Sequence, residues 1–149
     1  MTKAVFRDRR DAGQRLAALV ERYRESKPVV VAMPRGGVPV AAEVAHALHA
    51  PLDIVVVRKI GAPRNREFAL GAVAEGGVRV ISERALRSAG ISPRRLESLL
   101  ERAEAELAEH SRRYRGEHPP FSLAGRTAIL VDDGLATGRS ARAAIASLR

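Results

Sequence analysis

Ala128-Ile129-Leu130-Val131-Asp132-Asp133-Gly134-Leu135-Ala136-Thr137-Gly138-Arg139-Ser140 is the stretch around which the rest of the chain is organised. An apolar run ends in two adjacent acids, a loop of small residues follows, and an Ala-rich helical pattern begins. This order reads as strand, phosphate loop, helix. Gly134 and Gly138 let the backbone turn tightly, so that successive N–H groups face an anion. Thr137 and Ser140 add hydroxyl donors. The following helix adds free N–H groups and the positive end of its dipole. Asp132 and Asp133 repel phosphate and suit a sugar diol or a metal ion instead. Phosphate and diol side by side point to a ribose 5-phosphate. Asp-Asp-Gly also forms ordinary turns, and Gly-rich strand-to-helix turns occur without ligands. Loop chemistry alone therefore leaves both readings open.

The length of 149 residues suits one domain, and an apolar fraction of 46% is enough for a core. No uninterrupted apolar run reaches the length of a membrane span. The N-terminus, Met1 to Asp8, becomes charged at once and lacks the apolar segment of a signal peptide. Cysteine is absent, which excludes disulfides and thiolate metal sites. A cytoplasmic protein is the simplest expectation. His46, His49, His110 and His118 show no zinc-type spacing. The 26 Lys and Arg against 17 Asp and Glu are compatible with nucleic acid, an anionic membrane surface or a phosphorylated small substrate. The few aromatics are not interleaved with the basic residues, which argues against a stacking platform for single-stranded nucleic acid.

Upstream of the opening stretch, Asp8 is the expected N-cap of a helix whose stripe is Ala12, Leu16, Leu19, Val20 and Tyr23. Val29-Val30-Val31-Ala32 reads as a strand buried on both faces. Met33-Pro34-Arg35-Gly36-Gly37 follows, a Gly-Gly turn with an attached arginine and thus a second candidate anion site. A helix over 38–48 and a strand over 52–57 complete a parallel crossover. Arg58 and Lys59 lie at the end of that strand, where open parallel sheets bind ligands, and the polar segment to Phe68 reads as a mobile loop. The runs 69–74 and 78–81 flank Glu75-Gly76-Gly77, a hairpin signal. A weak helix over 82–88 precedes a long one capped by Ser92 and begun by Pro93. Leu96, Leu99, Leu100, Ala103, Leu107, His110 and Tyr114 form its apolar stripe, and Glu and Arg cover the other face.

Residues 131–140 resemble, position by position, the 5-phosphoribosyl 1-pyrophosphate (PRPP) signature of type I phosphoribosyltransferases: apolar strand, two acids, three variable residues, then Thr-Gly-x-Ser/Thr. Ser140 keeps the hydroxyl. The resemblance implies an α/β fold with three layers and a mainly parallel, Rossmann-like sheet. Residues 1–149 would form one such domain with a helical insert at 83–116, and the C-terminal strand or strands of the family are expected to be missing. It implies Mg²⁺-dependent transfer of the phosphoribosyl group between PRPP and a nitrogenous base, with release of pyrophosphate by a homodimer. Asp132, Asp133, Leu135, Ala136, Thr137, Gly138, Arg139 and Ser140 would hold the ribose 5-phosphate, and the two acids Mg²⁺ through water. Arg35, Gly36, Gly37, Arg58 and Lys59 would receive pyrophosphate. The family's pyrophosphate turn often contains a non-proline cis peptide, expected here at Pro34–Arg35 or Arg35–Gly36. Arg58-Lys59-Ile60-Gly61-Ala62-Pro63 is similar to the start of the flexible catalytic loop in adenine-type members, where Lys59 would be catalytic. Ala136 stands where hypoxanthine- and guanine-type members carry Asp. Glu75 then becomes the candidate for handling the leaving base, with Glu67 the weaker one. The alternative is a non-catalytic PRPP or nucleotide regulator, with RNA or DNA binding as in some relatives.

Overall fold

Val29, Val30, Val31 and Ala32 are each at most 1% exposed, and the reason is their place in a sheet. The computed structural model describes residues 5–149; residues 1–4, the start of the stretch read for a targeting segment, lie outside the described residues. In it the chain divides into two compact units.

The first unit comprises residues 1–55 and 120–135. Its parallel sheet has the order β2 (Leu52–Ile54), β1 (Val29–Ala32), β6 (Ala128–Val131). The register pairs Val30 with Leu52 and Ile129, and Ala32 with Ile54 and Val131. A central strand with neighbours on both edges must be apolar at every position. Helix α2 (Gly37–Leu48) crosses between β1 and β2 and turns Val40, Ala41, Val44 and Leu48 onto Val30, Ala32 and Val131. Each such fully buried Val or Leu is worth about 1.5–3 kcal/mol.

Helix α1 (Arg9–Val20) packs on α2 and is capped as expected, Asp8 Oδ1 accepting from Asp11 N at 2.8 Å. Its buried face differs from the expected stripe. Gly13 and Ala17 are buried, Leu16 and Val20 pack beside them, and Leu19 is 71% exposed. Small residues allow the close approach, and Leu19 lies off that face. Tyr23 is exposed too, because the chain passes into a 3₁₀ turn (Glu21–Ser26), whose tighter winding shifts the phase.

The second unit comprises residues 56–119 and 136–149. Its sheet is antiparallel, β3 (Val57–Ala62), β4 (Asn65–Ala74), β5 (Val78–Ile81). Two expectations are corrected here. The strand expected over 52–57 is two strands, β2 ending at Ile54 and β3 starting at Val57. The expected mobile loop from Arg58 is the β3–β4 hairpin, closed by Pro63-Arg64 between the paired Ala62 and Asn65. Proline suits the first central position of such a turn, and a register shift at Gly61 absorbs the local irregularity. Polar residues on an exposed hairpin mimic a loop in composition alone. The expected hairpin around Glu75-Gly76-Gly77 forms between β4 and β5.

The insert folds as α3 (Glu83–Ala89) and α4 (Pro93–Arg115), capped by Ser82 and Ser92. Helix α4 packs on β3 and β4 with Leu100, Ala103 and Leu107 buried, while Tyr114 stays partly exposed. Helix α5 (Arg139–Ser147) lies on the same sheet, Ala143 against Ala72 and Ala74.

Candidate functional site

The Gly-Gly turn after β1 and the acid pair after β6 meet because β1 and β6 are adjacent and parallel, so both C-terminal ends open on one edge. Met33 N donates to Val131 O at 2.9 Å and carries the alignment past the strand ends. A Cβ on Gly36 would stand 2.0 Å from Asp133 Oδ2. One on Gly37 would stand 2.8 Å from Val131 O and 3.0 Å from Asp132 Cα. Only glycine fits so close to the acids. The Pro34–Arg35 peptide bond is cis, at one of the two expected places. Arg35 is exposed.

The two acids are unequal. Burial pushes the Asp132 carboxyl up, and the adjacent Asp133 carboxylate adds to this; the Asp133 N–H, 2.8 Å from Asp132 Oδ1, opposes them. The Arg9 guanidinium holds Asp133 below the usual carboxylate range. Arg9 Nε and Nη2 both reach Asp133 Oδ2, at 3.0 and 2.7 Å. Both Arg9 bonds therefore fall on one oxygen, and the Asp132 side chain and the Asp133 N–H act on the same carboxylate in the same direction. Arg9 escaped the sequence reading. It lies 124 positions from its partner, and one arginine at a helix start carries no distinguishing signal.

Gly134, Leu135, Ala136 and Thr137 are exposed, and Gly138, at φ +77°, is the N-cap of α5. Among the described residues no side chain caps that N-terminus, which leaves its first N–H groups to an anion. Arg139 turns back into its own unit, donating to Ala69 O at 2.6 Å.

In the second unit, Arg58 and Lys59 lie within β3, opposite Val73 and Ala72, and not beyond a strand end. Arg58 Nη2 is bonded to Glu106 of α4, and Arg102 Nε reaches the same carboxylate at 3.2 Å. Lys59 is half-exposed and only loosely paired, its Nζ 3.8 Å from Glu67 Oε2. Both line a cavity of about 310 Å³ bounded on its far side by Leu99, Arg102 and Glu106 of the insert helix.

Glu75 is committed elsewhere. One oxygen accepts from Val56 N at 2.9 Å and Arg115 Nη2 at 3.0 Å; the other accepts from Ser111 Oγ and from Arg115 Nε at 2.9 Å. Burial works to raise its pKa, yet these hydrogen bonds outweigh it and hold the carboxyl below the ordinary glutamate value. A low pKa with both oxygens occupied ties the β4–β5 turn to α4 and counts against the expected proton-transfer role.

The donor set can be judged for Mg²⁺. Among the described residues no three His, Cys, Asp or Glu side chains gather into a metal cage. Asp132 and Asp133 supply hard oxygens on an exposed edge, which fits a Mg²⁺ that keeps waters and takes its other ligands from a phosphate. Among the described residues no helix is long and apolar enough to cross a membrane.

Comparison with known proteins identifies a family. Residues 8–149 match the phosphoribosyl transferase domain. Two curated proteins of Mycobacterium tuberculosis, from strains CDC 1551 and H37Rv and provisionally named phosphoribosyl transferases, are each 43% identical over 140 residues. That alignment takes in 94% of this chain and 32% of each relative, so the chain spans about a third of their length. The crystal structure of TT1426 from Thermus thermophilus superposes with a TM-score of 0.76 at 47% identity, over 96% of this chain and 68% of that one.

Proposed function

The chain belongs to the phosphoribosyl transferase domain family, and on that premise we propose that it binds PRPP with Mg²⁺ and transfers the phosphoribosyl group to a nitrogenous base. The observation that carries this reading is the Gly36-Gly37 turn lying against Asp132 and Asp133, where only glycine fits. Backbone N–H groups for an anion and carboxylates for a diol then stand at one strand edge.

In this proposal Asp132 and Asp133 accept from ribose hydroxyls and hold Mg²⁺ through water. Residues 135–140 take the 5-phosphate on the free N–H groups at the start of α5. Arg35, Gly36, Gly37 and Lys59 receive pyrophosphate as the bond from ribose C1 to its oxygen breaks and the bond to the acceptor nitrogen forms. Bound Mg²⁺ supplies neutralisation of the leaving charge. A single well-placed donor to such a leaving group is worth about 3 kcal/mol in the transition state. Arg58 and Arg139 have protein partners and Glu75 is fully bonded, so none of the three is assigned a part in the chemical step.

The commitment of Glu75 favours one second reading. With Glu75 so bonded, and only the weaker candidate Glu67 exposed, the chain binds PRPP as a regulator and transfers nothing. Calorimetric titration with PRPP and Mg²⁺, followed by pyrophosphate release with a panel of bases, separates the two. Binding with release supports transfer, and binding without release supports the regulator. Asp132→Asn combined with Asp133→Asn is expected to abolish PRPP binding while the circular dichroism stays that of the parent. Unchanged affinity in that double variant overturns the site assignment.

A further inference from the structure

We propose that Arg9 is the positioning residue for Asp133, pinning one of its oxygens so that the other faces a ribose hydroxyl. The inference rests on the sugar-phosphate reading of the acid pair and adds to it a residue from the N-terminal helix.

The geometry is one-sided. Both guanidinium donors of Arg9 fall on Oδ2, at 3.0 and 2.7 Å, and none on Oδ1. That same Oδ2 lies where a Cβ on Gly36 would have to be, 2.0 Å away. The carboxylate thus lies between a cation on its Oδ2 and the glycine turn, where a Gly36 Cβ would also stand 2.8 Å from Oδ1. Rotating it breaks two charge-assisted bonds or drives it into backbone. Its neighbour is held too, Asp132 Oδ1 accepting from Asp133 N. A bidentate contact would occupy both oxygens of Asp133, and Arg9 takes only Oδ2. Arg9 is the first residue of α1, next to the Asp8 cap.

Arg10 provides the internal contrast. It leaves the same helix turn with the same charge, but pairs with Glu43 Oε1 of α2 at 2.8 Å. It therefore reports the loss of one exposed cation without any loss of Asp133 geometry.

The test is isothermal titration of the full chain and of Arg9→Ala, Arg9→Lys and Arg10→Ala. The probes, in excess Mg²⁺, are PRPP, ribose 5-phosphate and inorganic pyrophosphate. Arg9 is 60% exposed, so the expected effect is modest. Arg9→Ala weakens PRPP and ribose 5-phosphate about fivefold and leaves pyrophosphate unchanged. Arg9→Lys, with the charge but a single nitrogen, recovers part of the loss, and Arg10→Ala matches the parent. Equal losses for all three ligands, a loss in Arg10→Ala as large as in Arg9→Ala, or unchanged or tighter binding in Arg9→Ala each overturn the inference. Failure of the underlying reading is distinct, since it shows as no PRPP binding by the parent protein.

Discussion

Replacing Glu75 by glutamine separates a structural acid from a catalytic one. The carboxylate accepts four hydrogen bonds, two from Arg115, and the pair is nearly out of water, Arg115 being 9% and Glu75 17% exposed. Breaking a buried ion pair by removing one charge costs about 3–5 kcal/mol. Glutamine keeps one acceptor oxygen but turns an amide N–H₂ toward donors, so a loss near the lower end, about 3 kcal/mol, is expected. For a chain of this size that lowers the melting temperature by roughly 6–12 °C. Acid dependence gives a second handle. The fold holds this carboxyl below its ordinary value, so the unfolded chain takes up the proton first as pH falls. The stability that Glu75 contributes is complete above the ordinary glutamate range and drains away as pH drops toward its lower folded value. Urea denaturation from about pH 7 down through the ordinary glutamate range to about pH 3 is expected to show a steeper decline for the parent than for Glu75→Gln. PRPP titration of the variant below its melting temperature should match the parent. A stability change under about 0.5 kcal/mol, the size of an ordinary surface substitution, refutes the structural assignment. Such a result accompanied by lost transfer restores Glu75 to the chemistry.

Two further expectations address the site itself. Gly36→Ala places a methyl group where Asp133 Oδ2 now lies, so the carboxylate must leave its seat. PRPP affinity should fall at least about tenfold and stability by about 1–3 kcal/mol, and calorimetry with undiminished affinity contradicts the close approach. Lys59→Ala should lower the rate of pyrophosphate release about 100-fold with a much smaller change in PRPP affinity. The reverse pattern makes Lys59 a ground-state binder.

The local features were legible in the chain because their causes are local. Asp8, Ser82 and Ser92 cap helices through bonds to backbone three residues on. Four apolar residues in a row at Val29 declare a strand covered on both sides, and the residues after Val131 declare a strand, a small-residue loop and a helix. The segment after Arg58 was not legible. Its polar residues and its Gly and Pro have the composition of a mobile loop, and only pairing with residues 65–74 makes it a strand. Leu19 followed the helical period, yet the close seat of Gly13 and Ala17 on α2 set the buried face.

By itself the sequence determined the family, the α/β class and the residues on the loops after β1 and β6, since each is written within a short run of consecutive positions. The tertiary structure alone decided which of those residues remain available to a ligand. Glu75 is taken by Ser111 and Arg115, 36 and 40 positions away, and Arg58 by Glu106, 48 positions away. Asp133 is held by Arg9 from the other end of the chain. The physical reason is common to all three. A charge acquires its pKa, its orientation and its freedom from whichever opposite charge folding brings within about 3 Å, and no period or spacing along the chain records that meeting.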